Sequence, residues 1–211
     1  METTYNLEQN LKKKAITKGV ILGVISAVLS IISLYFSATA TSIYTSSIIN
    51  FVVNYGVFLA IAVVFVLQLR RAVGGYWSFS TALKNIFILL AVTATIGLLG
   101  ISAFNAAFPD LQVEAIENTQ NLTIETMEAA NTPDEQIDTV LEMLDEQKEA
   151  LGALSFGQVV KGLFVSLLLY FVLALILAAI FKKEKPIFEK VNPTESGSPD
   201  AHPWQNNNNP E

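Results

Sequence analysis

Residues 159–181 read VVKGLFVSLLLYFVLALILAAIF, an apolar stretch in which Lys161 is the single charged residue. A helix of this length extends ~34 Å at ~1.5 Å per residue. Crossing a bilayer needs ~20 mostly apolar residues. Three earlier stretches, residues 19–36, 48–69 and 82–104, are also long and apolar. The sequence therefore predicts four transmembrane helices.

The composition excludes most enzyme classes. Apolar residues make up 52% of the chain and charged residues 15%, against ~25% charged in soluble domains. The segments outside the four spans are too short for a soluble domain of ~100 residues. Cysteine is absent, and the single histidine, His202, lies in the C-terminal tail. We therefore expect a protein that is not an enzyme and holds no cofactor or metal.

Positive charge lies on one side of the predicted spans. The connection 37–47 carries no charge, and residues 106–156 carry one lysine, Lys148. By the positive-inside rule, both termini are predicted to be cytoplasmic. The cations on that side are Lys12, Lys13, Lys14, Lys18, Arg70, Arg71, Lys84, Lys182, Lys183, Lys185 and Lys190.

Residues 106–156 are predicted to form an acidic helical hairpin on the outer side, with its tip near Asn131. Two stripes at helical spacing are expected to face each other: Val113, Ile116, Ile124 and Met127, and Ile137, Val140, Leu141, Leu144 and Leu151. Solvation of the carboxylates is the simpler interpretation, and cation binding or partner docking stays an alternative. The acidic residues are Asp110, Glu114, Glu117, Glu125, Glu128, Asp134, Glu135, Asp138, Glu142, Asp145, Glu146 and Glu149.

The predicted fold class is all-α, an integral membrane four-helix bundle with this hairpin between the third and fourth spans. A cytoplasmic segment, 1–18, precedes helices one to three in 19–105. The hairpin occupies 106–156 and the fourth helix 157–185. The tail, 186–211, is rich in Pro, Asn and Ser and is predicted to be disordered in the cytoplasm.

Small residues form one stripe along the first helix. Small side chains let another helix backbone approach closely, and serine hydroxyls can form hydrogen bonds across such a contact. The stripe therefore predicts helix–helix packing. Its members are Gly19, Gly23, Ser26, Ser30, Ser33 and Ser37.

Asn50 and Asn54 lie one turn apart near the outer end of the second span. Buried amides in a bilayer usually form hydrogen bonds between helices, so interhelical bonding is the favoured interpretation. An intramembrane polar site for a substrate is the alternative. No Asp or Glu lies within a predicted span, although proton-coupled carriers commonly use one.

A repeated pattern supports the alternative. Gly75 to Phe87 and Gly152 to Phe164 both read G-x-x-S-F-x-x-x-x-K-x-x-F. The two copies enter helices of opposite direction, and inverted repeats recur in transporters. Any membrane helix also favours a cap, an aromatic anchor and a lysine at its entrance, which explains the pattern without a repeat.

Several short motifs together resemble a known family. They are Lys18-Gly19 with Gly23, Arg70-Arg71 followed by Gly74-Gly75-Tyr76-Trp77-Ser78-Phe79, the loop opening at Phe108-Pro109, and the last helix between Ser155-Phe156 and Lys182-Lys183. Over residues 11–185 the chain resembles the bacterial four-span membrane proteins of domain of unknown function 4199. The resemblance implies a four-helix membrane domain in a bacterial cytoplasmic membrane, and it implies no activity, cofactor or site residue.

These observations predict a multi-pass bacterial membrane protein of unknown biochemical activity. A structural, assembly or regulatory role is favoured, and a small transporter or channel subunit is the alternative. The expected partner is the lipid bilayer, with a homo-oligomer or other membrane proteins left open. Nucleic acid is not expected, because basic residues are confined to positions beside the membrane.

Overall fold

The computed structural model describes residues 2–152 and 156–184, so the predicted tail 186–211 lies outside the described residues. The described residues are helical and include no strand. The helices are α1 (Glu2–Thr39), α2 (Ile43–Phe51), a π-helical segment (Val52–Val57), α3 (Phe58–Ala72), α4 (Phe79–Ala107), α5 (Pro109–Ala129), α6 (Asp134–Gly152) and α7 (Phe156–Phe181).

In the described part of the chain, four helical stretches are long and apolar enough to cross a membrane: Asn6–Thr39, Ile43–Ala72, Phe79–Ala107 and Val159–Phe181. An all-helical chain with four candidate membrane spans is therefore confirmed. The predicted N-terminal segment is helical from Glu2 and continues without a break into the first span as part of α1. The second span combines α2, the π-helical segment and α3, and begins only three residues after α1 ends.

A few contacts show the relative directions of the helices and which helices are neighbours. A Cβ on Gly19 would lie 2.8 Å from Val92 Cβ, and one on Gly23 would lie 2.6 Å from Ile96 Cβ, so α1 and α4 run parallel. Ser33 bonds Asn54 and Ser37 bonds Asn50, so the second span runs antiparallel to α1. Contacts of α4 with α7 and of α3 with α7 complete a ring in the order α1–α4–α7–α3.

The main cluster of buried residues lies at one end of this ring, which we name the basic end because Lys18, Arg70, Lys84 and Lys182 lie there. Toward the other end, α7 is open: Phe164 is 63% exposed and Leu169 65%. The largest fully buried side chains are Leu22, Val66, Leu69, Ile86, Leu89, Leu90 and Thr93.

Trp77 closes the basic end. Its backbone N–H donates to the Lys183 carbonyl over 2.8 Å, and the Lys183 N–H donates to the Trp77 carbonyl over 3.2 Å. The indole Nε1–H donates to the Phe181 carbonyl over 2.9 Å, and Trp77 is only 4% exposed. The α3–α4 connection is thus fastened to the last turn of α7.

At the opposite, acidic end, α5 and α6 run antiparallel, because Gln120 bonds Asp145 while Glu117 pairs with Lys148. Helix α5 has a second neighbour besides α6. Val113 is exposed, and α5 packs extensively along α1 as well. The physical reason is that the end of α1 offers backbone carbonyls, and Asn118 Nδ2 donates to those of Ser37 and Ala40.

Candidate functional site

The small-residue stripe of α1 divides into two halves with different surroundings. In the first half, Gly19 and Gly23 lie directly against α4. A Cβ on Gly19 would come within 2.6 Å of the Leu89 carbonyl oxygen, and Ser26 Oγ lies 2.9 Å from the Cβ position of Gly97. These distances leave no room for larger side chains, so the backbones of α1 and α4 approach as closely as glycine permits.

Thr93 strengthens this contact from the α4 side. Its hydroxyl lies 3.1 Å from the Gly19 carbonyl and 2.9 Å from the Leu89 carbonyl of its own helix, and the residue is fully buried. The hydroxyl has one proton to share between the two acceptors. The close approach of Gly19 brings an α1 carbonyl within hydrogen-bond distance of an α4 side chain.

In the second half of the stripe, serines meet the two predicted asparagines. Asn54 Nδ2 donates to Ser33 Oγ over 2.6 Å and to the Asn50 carbonyl over 3.1 Å. Asn50 Nδ2 donates to Ser37 Oγ over 2.8 Å and lies 3.4 Å from Ser46 Oγ. The two parts of the predicted site, stripe and amide pair, are therefore brought together.

A polar groove of about 270 Å³ lies beside these bonds, between α1, the second span, α4 and the start of α5. Each lining side chain is uncharged. The groove can therefore offer hydrogen bonds but no ion pair. The lining residues are Ser30, Ser33, Leu34, Ser37, Asn50, Asn54, Ile101, Asn105 and Gln112.

Two amide oxygens at this groove lack donors. Asn50 Oδ1 and Asn105 Oδ1 are buried and have no hydrogen-bond partner within the described part of the chain. A buried acceptor without a donor costs about 1–3 kcal/mol. The groove therefore has an excess of hydrogen-bond acceptors.

A second, apolar groove of about 400 Å³ lies where α3 and α7 diverge. Phe58 and Tyr170 stack at 5.7 Å between ring centroids and both line it. Asn54 lines this groove and the polar groove alike, so the two meet at the π-helical segment. The remaining lining residues are Tyr55, Leu59, Ser166, Leu169 and Leu173.

The groups that line the two grooves are suited to hydrogen bonding and apolar contact. Hydroxyl, amide and aromatic groups line the grooves, and neither groove contains a carboxylate. Among residues 2–152 and 156–184, no group of three His, Asp or Glu side chains could hold a metal ion. Nucleophilic catalysis would need a base beside a serine, and the lining residues include none.

The sequence analysis did not single out Asn105 or Gln112. Asn105 lies one residue beyond the predicted third span, and Gln112 lies at the start of the predicted hairpin. The available signal was an amide in an otherwise apolar last turn of α4. Its relevance depends on α4 standing beside Ser37 and Asn50, which only the tertiary arrangement shows.

A family model described as "Protein of unknown function (DUF4199)" matches residues 17–183. The chain belongs to this family. The resemblance predicted from the entrance motifs of the helices is therefore confirmed. No curated protein and no solved structure matches the chain. For this DUF4199 protein, the function must be argued from the grooves and the bundle themselves.

Proposed function

We propose that the chain is a non-enzymatic protein of a bacterial cytoplasmic membrane, with a structural, assembly or regulatory role. In this proposal its binding region is the open half of the bundle at the acidic end. Both termini are cytoplasmic, and the acidic pair α5–α6 is a hairpin outside the membrane. The concentration of lysine and arginine at the basic end supports this orientation.

One observation carries the proposal: the main buried cluster fills the basic half, while α7 exposes a long apolar face, most of it in the acidic half. Small-residue packing of α1 on α4 holds the closed half rigidly. A rigid half next to an open half is the arrangement expected of a protein that receives a partner. The exposed face comprises Phe164, Val165, Leu168, Leu169, Val172 and Ile176.

The test is photo-crosslinking in native membranes, with a photoreactive side chain placed at Leu168. Leu177 is the matched control because it lies on the same helix and is buried in the core. We expect Leu168 to yield an adduct with a second copy, or with one defined membrane protein identified by mass spectrometry. If Leu168 and Val172 both yield monomer alone, as the control does, the assembly role is wrong.

The second candidate is a small transporter or channel subunit, and the polar groove favours it. A bundle closed at one end and open at the other has the shape of one state of an alternating-access carrier. Both predicted asparagines lie in this open half. Solute flux into liposomes carrying the pure protein tests it, with Asn50→Ala plus Asn54→Ala as the variant. Flux that is unchanged in this variant would exclude the groove as a transport site.

A further inference from the structure

We propose that the open half of the bundle binds one phospholipid whose headgroup carries a primary ammonium. The headgroup occupies the polar groove, and an acyl chain lies along the apolar groove between α3 and α7. This inference rests on the proposed function in one respect, since it uses the same open half as the binding region. It adds the occupant and the chemistry that selects it.

The depth of the two grooves matches one leaflet. Counting ~20 residues from the charges at the basic end reaches Ala38 from Lys18 and Asn50 from Arg70. Ser37 and Asn50, which line the polar groove together with Asn105, therefore lie near the boundary between hydrocarbon and headgroups.

The apolar groove begins about one turn deeper. By the same count, Lys182 places the boundary near Gly162 on α7, and the groove extends from Ser166 to Leu173. Seven residues of helix span ~10 Å, toward the bilayer midplane. A lipid whose headgroup lies in the polar groove would thus have its acyl chain at the depth of the apolar groove.

The hydrogen-bonding groups of the polar groove select the headgroup. Asn50 Oδ1 and Asn105 Oδ1 are acceptors without donors in the described structure, and the lining carries no charge. A primary ammonium presents three N–H donors, whereas a trimethylammonium presents none. An anionic headgroup without N–H donors would meet no cationic side chain in this groove. It could also not donate a hydrogen bond to the two amide oxygens.

The two oxygens are covered by their surroundings, so the amide side chains must shift to reach an incoming donor. Leaving both oxygens without a hydrogen bond is unfavourable. The hydrogen bonds formed with an incoming donor therefore compensate for the movement of the side chains. Ser33 Oγ and Ser37 Oγ accept from the asparagines, so their own hydroxyl protons can be donated to the headgroup.

Asn54 connects the two parts of this site. It lines both grooves and lies in the π-helical segment, a feature frequent at functional sites. Tyr55 and Leu169 are largely exposed on either side of the apolar groove, so the groove is open laterally to lipid. A lipid can therefore enter from the bilayer without opening the closed core.

The experiment is native mass spectrometry of the full chain released from detergent, with phosphatidylethanolamine and phosphatidylcholine of identical acyl chains as probes. The two lipids differ only at the headgroup nitrogen, where three methyl groups in phosphatidylcholine replace the three N–H donors of phosphatidylethanolamine. We expect the ethanolamine lipid to bind about tenfold more tightly, because charge-assisted hydrogen bonds are worth that much or more. Equal binding of the two lipids would overturn the proposal, as would tighter binding of phosphatidylglycerol.

Asn105→Leu is the decisive variant. Asn105 makes no side-chain hydrogen bond within residues 2–152 and 156–184, so the substitution removes an unpaired acceptor and breaks none of the described bonds. We expect the lipid preference to fall from about tenfold to about threefold, because Asn50 Oδ1 can still accept one N–H, while the lipid-free protein becomes no less stable. Thr95→Val is the control, since its hydroxyl bonds only Ala91 of its own helix. A preference that stays at about tenfold in Asn105→Leu would exclude this site.

A third variant, Leu59→Trp, tests the apolar groove. The larger side chain should weaken binding of both lipids and leave their ratio unchanged; unchanged affinity would remove the acyl-chain part of the proposal. None of these results depends on the crosslinking outcome at Leu168. The lipid site and the assembly role can therefore fail separately.

Discussion

At the scale of single residues, two glycines followed by four serines line one face of α1, and the two residue types serve different contacts. Gly19 and Gly23 admit the α4 backbone, whereas Ser33 and Ser37 accept hydrogen bonds from Asn54 and Asn50. A glycine contact depends on volume, and a serine contact depends on polarity. The two halves of the stripe should therefore respond to different substitutions.

Gly23→Ala should destabilise the protein by about 1–3 kcal/mol, because the new Cβ would meet Ile96 Cβ at 2.6 Å. The clash involves an atom bonded directly to the backbone, so side-chain rotation cannot relieve it. Gly162→Ala is the matched control, with open space at its Cβ position and a gain in helix propensity. Unfolding in mixed micelles measures both, and equal stability of the two variants would contradict the packing role.

Ser33→Ala and Asn54→Leu should show a coupling of about 0.6–1.7 kcal/mol in a double-mutant cycle, because their side chains share a hydrogen bond within the membrane. The same unfolding assay provides the four free energies. Thr95→Val combined with Asn54→Leu should be additive, since Thr95 bonds its own helix. Additivity of the Ser33 and Asn54 variants would show that the bond does not contribute.

At the scale of elements, two departures from regular helix organise the bundle. The π-helical segment Val52–Val57 interrupts the second span and carries Asn54 between the two grooves. The turn after α3 uses Gly74 and Gly75 at φ of 80° and 83°, a region that favours glycine. This turn positions Trp77 beside the end of α7, and Trp77 closes the basic end of the bundle.

Trp77→Phe should loosen the last turn of α7, because it removes the indole N–H that donates to the Phe181 carbonyl and retains most of the aromatic volume. The expected cost is about 0.5–1.5 kcal/mol. Hydrogen exchange should become faster at the Lys182 and Lys183 amides. Tyr76→Phe, which keeps the ring beside the Lys183 ammonium, should leave exchange unchanged. Equal protection in both variants would assign the closure to backbone bonds alone.

At the scale of the whole molecule, charge and packing are both asymmetric along the bundle axis. Cations and the buried core share one end, and carboxylates and the two grooves share the other. Carboxylates at the open end keep that region solvated, while arginine and lysine at the closed end favour the cytoplasmic side. The orientation of the protein in the membrane therefore also determines on which side of the membrane the open half of the bundle lies.

Single-cysteine labelling tests the orientation on a clean background, since the chain contains no cysteine. A membrane-impermeant maleimide should label Glu128→Cys in intact spheroplasts, because the proposed topology has α5 on the outer side of the membrane. Lys13→Cys should react only after the membrane is permeabilised. Both positions are exposed, so access to the side chain is not limiting. The reverse pattern would invert the proposed topology and place the grooves at the cytoplasmic leaflet.

The amino-acid sequence alone was sufficient to predict four spans and the side of the spans on which the cations lie. It also singled out the serines of α1 and the amides of the second span as polar residues within apolar helices. These are properties of segments, because hydropathy and charge act on each helix separately in a bilayer. The π-helical segment was not visible, since one surplus residue in an apolar run leaves the pattern of apolar side chains nearly unchanged.

Only the tertiary structure decided which helix faces which. It placed Ser33 opposite Asn54, brought Asn105 of α4 to the same groove and left the α3–α7 interface apart at its outer half. Every face of these helices is apolar enough to meet either lipid or another helix, so composition cannot choose between them. Close fit at Gly19 and Gly23 makes that choice, because van der Waals contact and hydrogen bonds depend on interatomic distance.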